Sequence, residues 1–278
     1  MTAVRPGRTS PPWLRTVGTR AMDVFAGAVL VYLFLPVFVI IAFSFNDPAG
    51  KFNLVWRKFS LDGWANPFAF EPLVEAFENS LRIAALSTAI ALVLGTLCAI
   101  ALVRHRFRGQ GALDTYLVIP LTMPEVVVGS SLLTLFLDLG WNRGFTTIVL
   151  SHIMFQVSFV ALTVKARMRG LDWSLEDAAM DLGANPGRTF LRVTLPLILP
   201  GIMAAAMLSF ALSLDDYIIT LFTAGNELQT YPLQVAGAQR AELPVQINVL
   251  ATMVLVGSLL IIGLAAAWQR RRTLGQVL

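Results

Sequence analysis

A chain of 278 residues that is 56% hydrophobic, only 14% charged and has a mean hydropathy of +0.70 lies outside the range of soluble domains and points to an integral membrane protein. Its net charge of +4 would suit nucleic acid, but in so apolar a chain basic loops act as topology signals. A single cysteine (Cys98), two histidines (His105, His152) and three lysines outside any GxxxxGK[ST] context exclude an internal disulfide, argue against a metal centre and exclude a P-loop.

In chain order, residues 1–22 are rich in Pro, Arg and Thr and are expected to form a disordered segment. A membrane domain is expected over 23–268, followed by a short tail at 269–278. A membrane helix needs roughly 20 apolar residues. Stretches of that kind fall at about 24–45, 83–103, 116–137, 145–164, 197–222 and 247–268, so the expected fold is all-α with six spans. Fifteen basic residues lie in the N-terminus, the second and fourth loops and the tail, against five in the remaining loops. Arg82 sits at the mouth of the second span. By the positive-inside rule both termini and the fourth loop are cytoplasmic. The first span is too long for a cleaved leader and lacks a small-residue cleavage site, so it reads as a retained helix. The loop after it, Asn46 to Glu78, carries Trp56 and Trp64 and reads as an interfacial segment lying flat or as a docking surface.

The second span repeats small residues every fourth position, Ser87, Ala91, Gly95 and Ala99. The fifth does the same with Gly201, Ala205, Ser209 and Ser213. Such stripes let helix backbones approach closely and predict a multi-helix bundle. In the third span, Pro120 and Pro124 precede Glu125 and predict a broken helix, of the kind that lines sites in transporters. Asp215 and Asp216 lie near the end of the fifth span, with Tyr217 beside them. No lysine or arginine lies within a span to pair with these acids. Charges at such depth are costly and tend to be functional. Asp216 continues the small-residue stripe and is expected to face protein or a cavity; solvation at the rim is the alternative for Asp215. Tyr217, Phe210 and Phe136 could offer cation–π contact, with packing as the alternative. His152 and Gln156, one turn apart, are expected to hydrogen-bond between helices.

Between the fourth and fifth spans lies a polar segment, Ser174 to Pro196. Ser174 with Asp177 three residues on is a capping-box pattern, and Glu176 and Asp177 occupy the first helical turn. Gly183 can end that helix, and Asn185-Pro186 signals a second start. The reading is two short helices joined by a glycine turn, the first thinned by Ala178 and Ala179 so that it can enter a groove on another protein.

Here the sequence resembles a known family. Asp177-Ala178-Ala179, then Gly183, then Val193-Thr194-Leu195-Pro196 has the spacing of the Glu-Ala-Ala…Gly…Ile-x-Leu-Pro signature of membrane subunits of bacterial ATP-binding-cassette importers. Asp177 and Val193 depart from it conservatively. The stretches "AAMDLGA", "LPLILPGI", "LSLDDYIIT", "PLTMPEVVVGSSLL" and "INVLATMVL" look like the spermidine/putrescine permeases, the second of their permease pair in particular. The resemblance implies a type I ABC importer permease fold in a bacterial inner membrane. It implies coupling to a cytoplasmic ATPase dimer through 174–196, with Glu176, Asp177, Ala178, Ala179, Asp181, Gly183, Leu195 and Pro196 as coupling residues. A second, non-identical permease and an extracytoplasmic solute-binding protein complete the assembly it implies. It also implies that ATP is used by the partner and that this chain is not an enzyme and carries no cofactor of its own. Glu125, Asp215, Asp216 and Tyr217 then become candidates for a cation path. An amino acid or opine importer, or a secondary carrier, remains open.

Overall fold

The computed structural model describes residues 12–274 apart from Glu227. Among these residues the chain is helical, with two isolated β-bridges. The helices are α1 (Pro12–Phe43), α2 (Asp62–Ala65), α3 (Glu71–Arg104), α4 (Gln110–Thr122), α5 (Glu125–Asp138), α6 (Phe145–Arg169), α7 (Ser174–Asp181) and α8 (Pro186–Thr189). A π-turn at Phe190–Thr194 leads into α9 (Leu195–Asp215), followed by α10 (Ile218–Thr223), α11 (Tyr231–Ala241) and α12 (Val245–Leu274).

Among the described residues, four helical segments are long and apolar enough to cross a membrane: Met22–Phe43, Glu71–Arg104, Phe145–Arg169 and Pro186–Asp215. The bent pair α4–α5 makes a fifth if counted as one span. The third expected span is not a straight rod: its halves meet at 104°. The fifth does not run to residue 222, because the chain leaves the helix at Asp216, with ψ at 119°. The second begins twelve residues earlier than expected, with Glu71 in the first turn and Leu73 and Ala76 fully buried. The sixth expected stretch lies in α12, whose described apolar part is Val245–Leu260. Helix α1 already starts at Pro12, inside the segment expected to be disordered, and a proline suits a first helical turn. Residues 1–11 and 275–278 lie outside the described residues.

The chain divides into two units. In the unit from Glu71 to Ala241, α3, α6 and α9 pack together. The small-residue stripes are the contact: Ser87, Ala91, Gly95 and Ala99 on α3 and Gly201, Ala205, Ser209 and Ser213 on α9 are all buried. A Cβ placed on Gly95 would lie 2.7 Å from the Val160 side chain and 2.9 Å from the Val157 carbonyl oxygen, so the α3–α6 approach requires glycine. Gly95→Ala is expected to destabilise the bundle by about 2 kcal/mol, the usual cost of overpacking. Gly111, which has open space where a Cβ would stand, is the control. Thermal unfolding in detergent checks this: Gly95→Ala should lower Tm and Gly111→Ala should not.

In the other unit, residues up to Phe70 join those from Glu242. Leu30 to Phe34 and Phe38 on α1 are all exposed, a surface built for lipid or another subunit. The segment after α1 folds back as a hairpin around Asn46. The Asn46 amide donates to Asn53 Oδ1 at 2.7 Å and to the Val55 carbonyl at 2.9 Å, and it accepts from the Arg57 N–H at 2.8 Å. Phe45 stacks between Phe59 and Trp64, and the Trp64 indole donates to Ser44 Oγ at 3.2 Å. Trp56 lies in this hairpin, edge-on to Phe43, and Trp64 in the short α2 that follows it.

Candidate functional site

Two helix breaks in the Glu71–Ala241 unit build a cavity. The first is at Met123-Pro124. Proline disfavours the helical region for the residue before it, and Met123 adopts an extended ψ of 140°. Helix α5 restarts with Glu125 in its first turn, where unpaired backbone N–H groups favour a carboxylate. The second break is at Asp216. Its Oδ2 accepts from the Thr220 N–H at 2.8 Å and from Thr220 Oγ1 at 2.6 Å, which caps the start of α10. The breaks lie across a cavity of about 470 Å³ lined by Glu125, Asp215, Asp216 and Tyr217. Phe155 and Phe159 of α6 and Leu212 of α9 complete the wall that matters here. The lining carries three carboxyl groups and no lysine or arginine. Such a lining can replace part of a cation's hydration shell, with aromatic faces alongside.

Behind Asp216 lies a buried polar network. His152 Nδ1 is 2.7 Å from Ser213 Oγ, and His152 Nε2 is 3.3 Å from Asp216 Oδ2 and 3.1 Å from Thr220 Oγ1. Ser213 Oγ also lies 3.3 Å from Ser87 Oγ on α3. One turn along α6, Gln156 Nε2 donates to the Ser209 carbonyl at 2.9 Å. The expected interhelical role of His152 and Gln156 is thus the observed one. Sequence reasoning missed that His152 is the partner of Asp216, since 64 residues separate them. Serine, histidine and aspartate meet here without forming a hydrolytic triad. Ser213 is buried and does not line the cavity, so no substrate carbonyl can reach its hydroxyl.

Phe136 is not at the cavity: it is buried and stacks on Trp141 at 5.9 Å. Phe210 does not line the cavity either. Phe155 and Phe159 were overlooked in the sequence, although their i, i+4 spacing places them on one face of α6.

The polar segment between α6 and α9 differs from the expected pair of short helices. Ser174 does not cap α7. The cap position is held by Trp173, while the Asp172 carboxylate accepts from the Ser174 N–H at 3.0 Å, and hydrogen bonds from the Ser174 hydroxyl and N–H hold the Asp172 carboxyl below its ordinary range. Gly183 ends α7 with φ at +85°, a conformation glycine adopts freely. Asn185 caps α8, its side chain accepting from the Arg188 N–H at 2.8 Å, with Pro186 in the first turn. From Pro186 the helix continues unbroken into α9 through the π-turn, so Leu195 and Pro196 lie inside one helical rod. Pro196 has no N–H for an i−4 bond, and the wider turn, with the Leu195 N–H on the Phe190 carbonyl, accommodates this.

Asp177, Ala178 and Asp181 are exposed, Ala179 is half-buried, and Leu182 at the turn is 91% exposed. Glu176, also expected as a coupling residue, does not share that exposure. It is 7% exposed, paired with Arg104 at the end of α3 and hydrogen-bonded by Thr194 Oγ1 of the π-turn. On a helix, adjacent residues point about 100° apart, so Glu176 faces the bundle while Asp177 faces away.

Residues 91–274 match the family described as the binding-protein-dependent transport system inner membrane component. The chain belongs to that family. Among curated relatives of this inner membrane component is the putrescine transport system permease protein PotI of Escherichia coli K12, 39% identical over 84% of this chain and 85% of its own length. The spermidine/putrescine transport system permease protein PotC of the same strain is 34% identical, over 90% of this chain and 94% of its own. Among solved structures, a bacterial ABC transporter involved in the import of the acidic polysaccharide alginate aligns with a TM-score of 0.68 at 16% identity, covering 93% of this chain and 98% of that one. At that identity the likeness speaks for fold alone. The family places the chain among transport components of the inner membrane, and its relatives are permease subunits, not enzymes.

Proposed function

We propose that this chain is the permease subunit of an ATP-driven importer and forms half of a path for a polyamine such as putrescine or spermidine. The observation that carries the cargo class is the cavity between the two helix breaks, with three carboxyl groups and no basic residue. A diammonium compound crossing lipid loses hydration at both ends, and separated carboxylates can offset that loss. The names of the curated relatives point the same way. An amino acid or opine would also need a cationic group for its carboxylate, and the described lining offers none.

In this reading the end bearing Arg104 and the Ser174–Pro196 segment is cytoplasmic, and both termini lie on that side, as the basic residues indicate. The exposed α7 surface and Leu182 enter a groove of a separate ATPase, one of a pair. A second permease subunit covers the apolar faces left open, and a solute-binding protein delivers cargo from the other side. ATP is consumed by the partner, and this chain requires no cofactor.

Uptake of labelled putrescine by cells carrying the complete transporter, in competition with unlabelled spermidine, arginine, glutamate and sulfate, tests the cargo class. Competition by the polyamine alone supports it. Competition by glutamate or sulfate, with none by spermidine, excludes it.

A further inference from the structure

Glu176 is buried where a docking acid should be exposed, and its surroundings give it a different task. Three elements converge on its carboxylate. Arg104 comes from the last turn of α3, where a cation also suits the negative helix end. Thr194 comes from the π-turn that opens onto α9, and its hydroxyl donates to Glu176. Glu176 itself stands in the first turn of α7. The Arg104 guanidinium also lies over the ring of Trp173, 5.4 Å from its centre. Trp173, Leu171 and Leu195 pack on the core formed by Ala99, Val164, Met168 and Ile198. The underside of α7 is therefore fastened by an ion pair, a hydrogen bond and an aromatic lid at one point.

We propose that Arg104, Glu176 and Thr194 form a clamp that transmits movement of α7 to α3 and α9 together. It rests on the reading of this chain as an ATP-driven permease. In that reading Glu176 is a positioning residue and does not contact the ATPase; the exposed Asp177 does. Without the clamp, α7 would be joined to the bundle through the backbone and the apolar packing of Trp173, and a docked motor could rock it without moving the spans. Arg104 links to α3, which packs against both α6 and α9, and α9 ends at the cavity acid Asp215. The clamp thus stands at one end of α9, whose other end carries the cavity acid.

Two readouts on the complete transporter in membranes separate this inference from the reading beneath it. Hydrogen exchange of the α7 backbone amides needs no transport. In Arg104→Gln, exchange over 174–182 is expected to rise by about tenfold, as an opening made easier by one decade requires. It should return toward wild type in the charge-swapped Arg104→Glu/Glu176→Arg. The second readout is putrescine taken up per ATP hydrolysed, which should fall by about fivefold in Arg104→Gln while ATP hydrolysis continues, and recover in the swap. If Arg104→Gln fails to assemble, Thr194→Val, which removes only the hydroxyl, carries both measurements. Unchanged exchange over 174–182 overturns the clamp whatever transport does. Raised exchange with an unchanged uptake-to-ATP ratio overturns its coupling role. If the wild-type complex moves no polyamine at all, the transport reading fails, while the exchange result still decides whether the clamp exists.

Discussion

Deleting Ala178 to Gly183 should abolish uptake and release the ATPase, while the spans still insert. The deletion removes half of the exposed α7 residues (Ala178, Met180 and Asp181) together with Leu182, and it takes away the +85° turn that lets the chain reverse toward Asn185. None of the residues deleted belongs to the buried core of the bundle or to the Arg104–Glu176–Thr194 contact. The loss should therefore be one of docking. Helix-in-groove contacts concentrate their energy in a few apolar anchors, so removing the anchoring face should weaken capture by about two orders of magnitude or more. Co-purification of the ATPase with the tagged permease in mild detergent measures it. Full retention of the ATPase by the deletion variant would remove this segment from the docking role.

Asp216→Asn should lower the rate of uptake by about 30-fold, equivalent to about 2 kcal/mol, the size of one lost hydrogen bond to a charged group. Asparagine keeps an oxygen that can accept from the Thr220 N–H and hydroxyl, so the α10 cap survives and assembly should be normal. What is lost is the charge shared between His152 and the cavity. Glu125→Gln should reduce uptake by a smaller amount, about fivefold, because Glu125 is exposed and better solvated than Asp216. Initial rates of labelled putrescine uptake, normalised to assembled complex, check both. Unchanged rates in both variants would take the acids out of the mechanism.

Much of this arrangement was legible in the sequence because it rests on local rules. Pro124 disfavours the helical region at Met123 on local grounds, and Gly183 and Asn185-Pro186 announce their turn and cap. The four-residue spacing of small side chains marked the faces of α3 and α9 that are buried in the bundle. What could not be read depends on partners far away in the chain. Asp216 has no lysine or arginine within the spans to pair with, and His152 reaches it from another helix. Glu176 and Asp177 look equivalent in sequence, and only the path of α7 past Arg104 decides which is buried. Similarly, Ser174 has the right pattern for a cap, but it is already helical, and its own N–H is satisfied by Asp172 two residues earlier. Phe136 had the right chemistry for a cation and the wrong face, occupied by Trp141.

The cavity as a route for cations is open to direct chemical measurement, since the chain has a single cysteine, Cys98, to replace. With Cys98→Ser as background, Phe159→Cys places one thiol in the cavity wall. A small cationic methanethiosulfonate reagent should modify it about tenfold faster than an anionic one of similar size, the ratio expected from a modest negative potential at the wall. Putrescine at saturating concentration should slow that reaction, and glutamate should not. Equal rates with both reagents, or protection by glutamate in place of putrescine, would contradict the account.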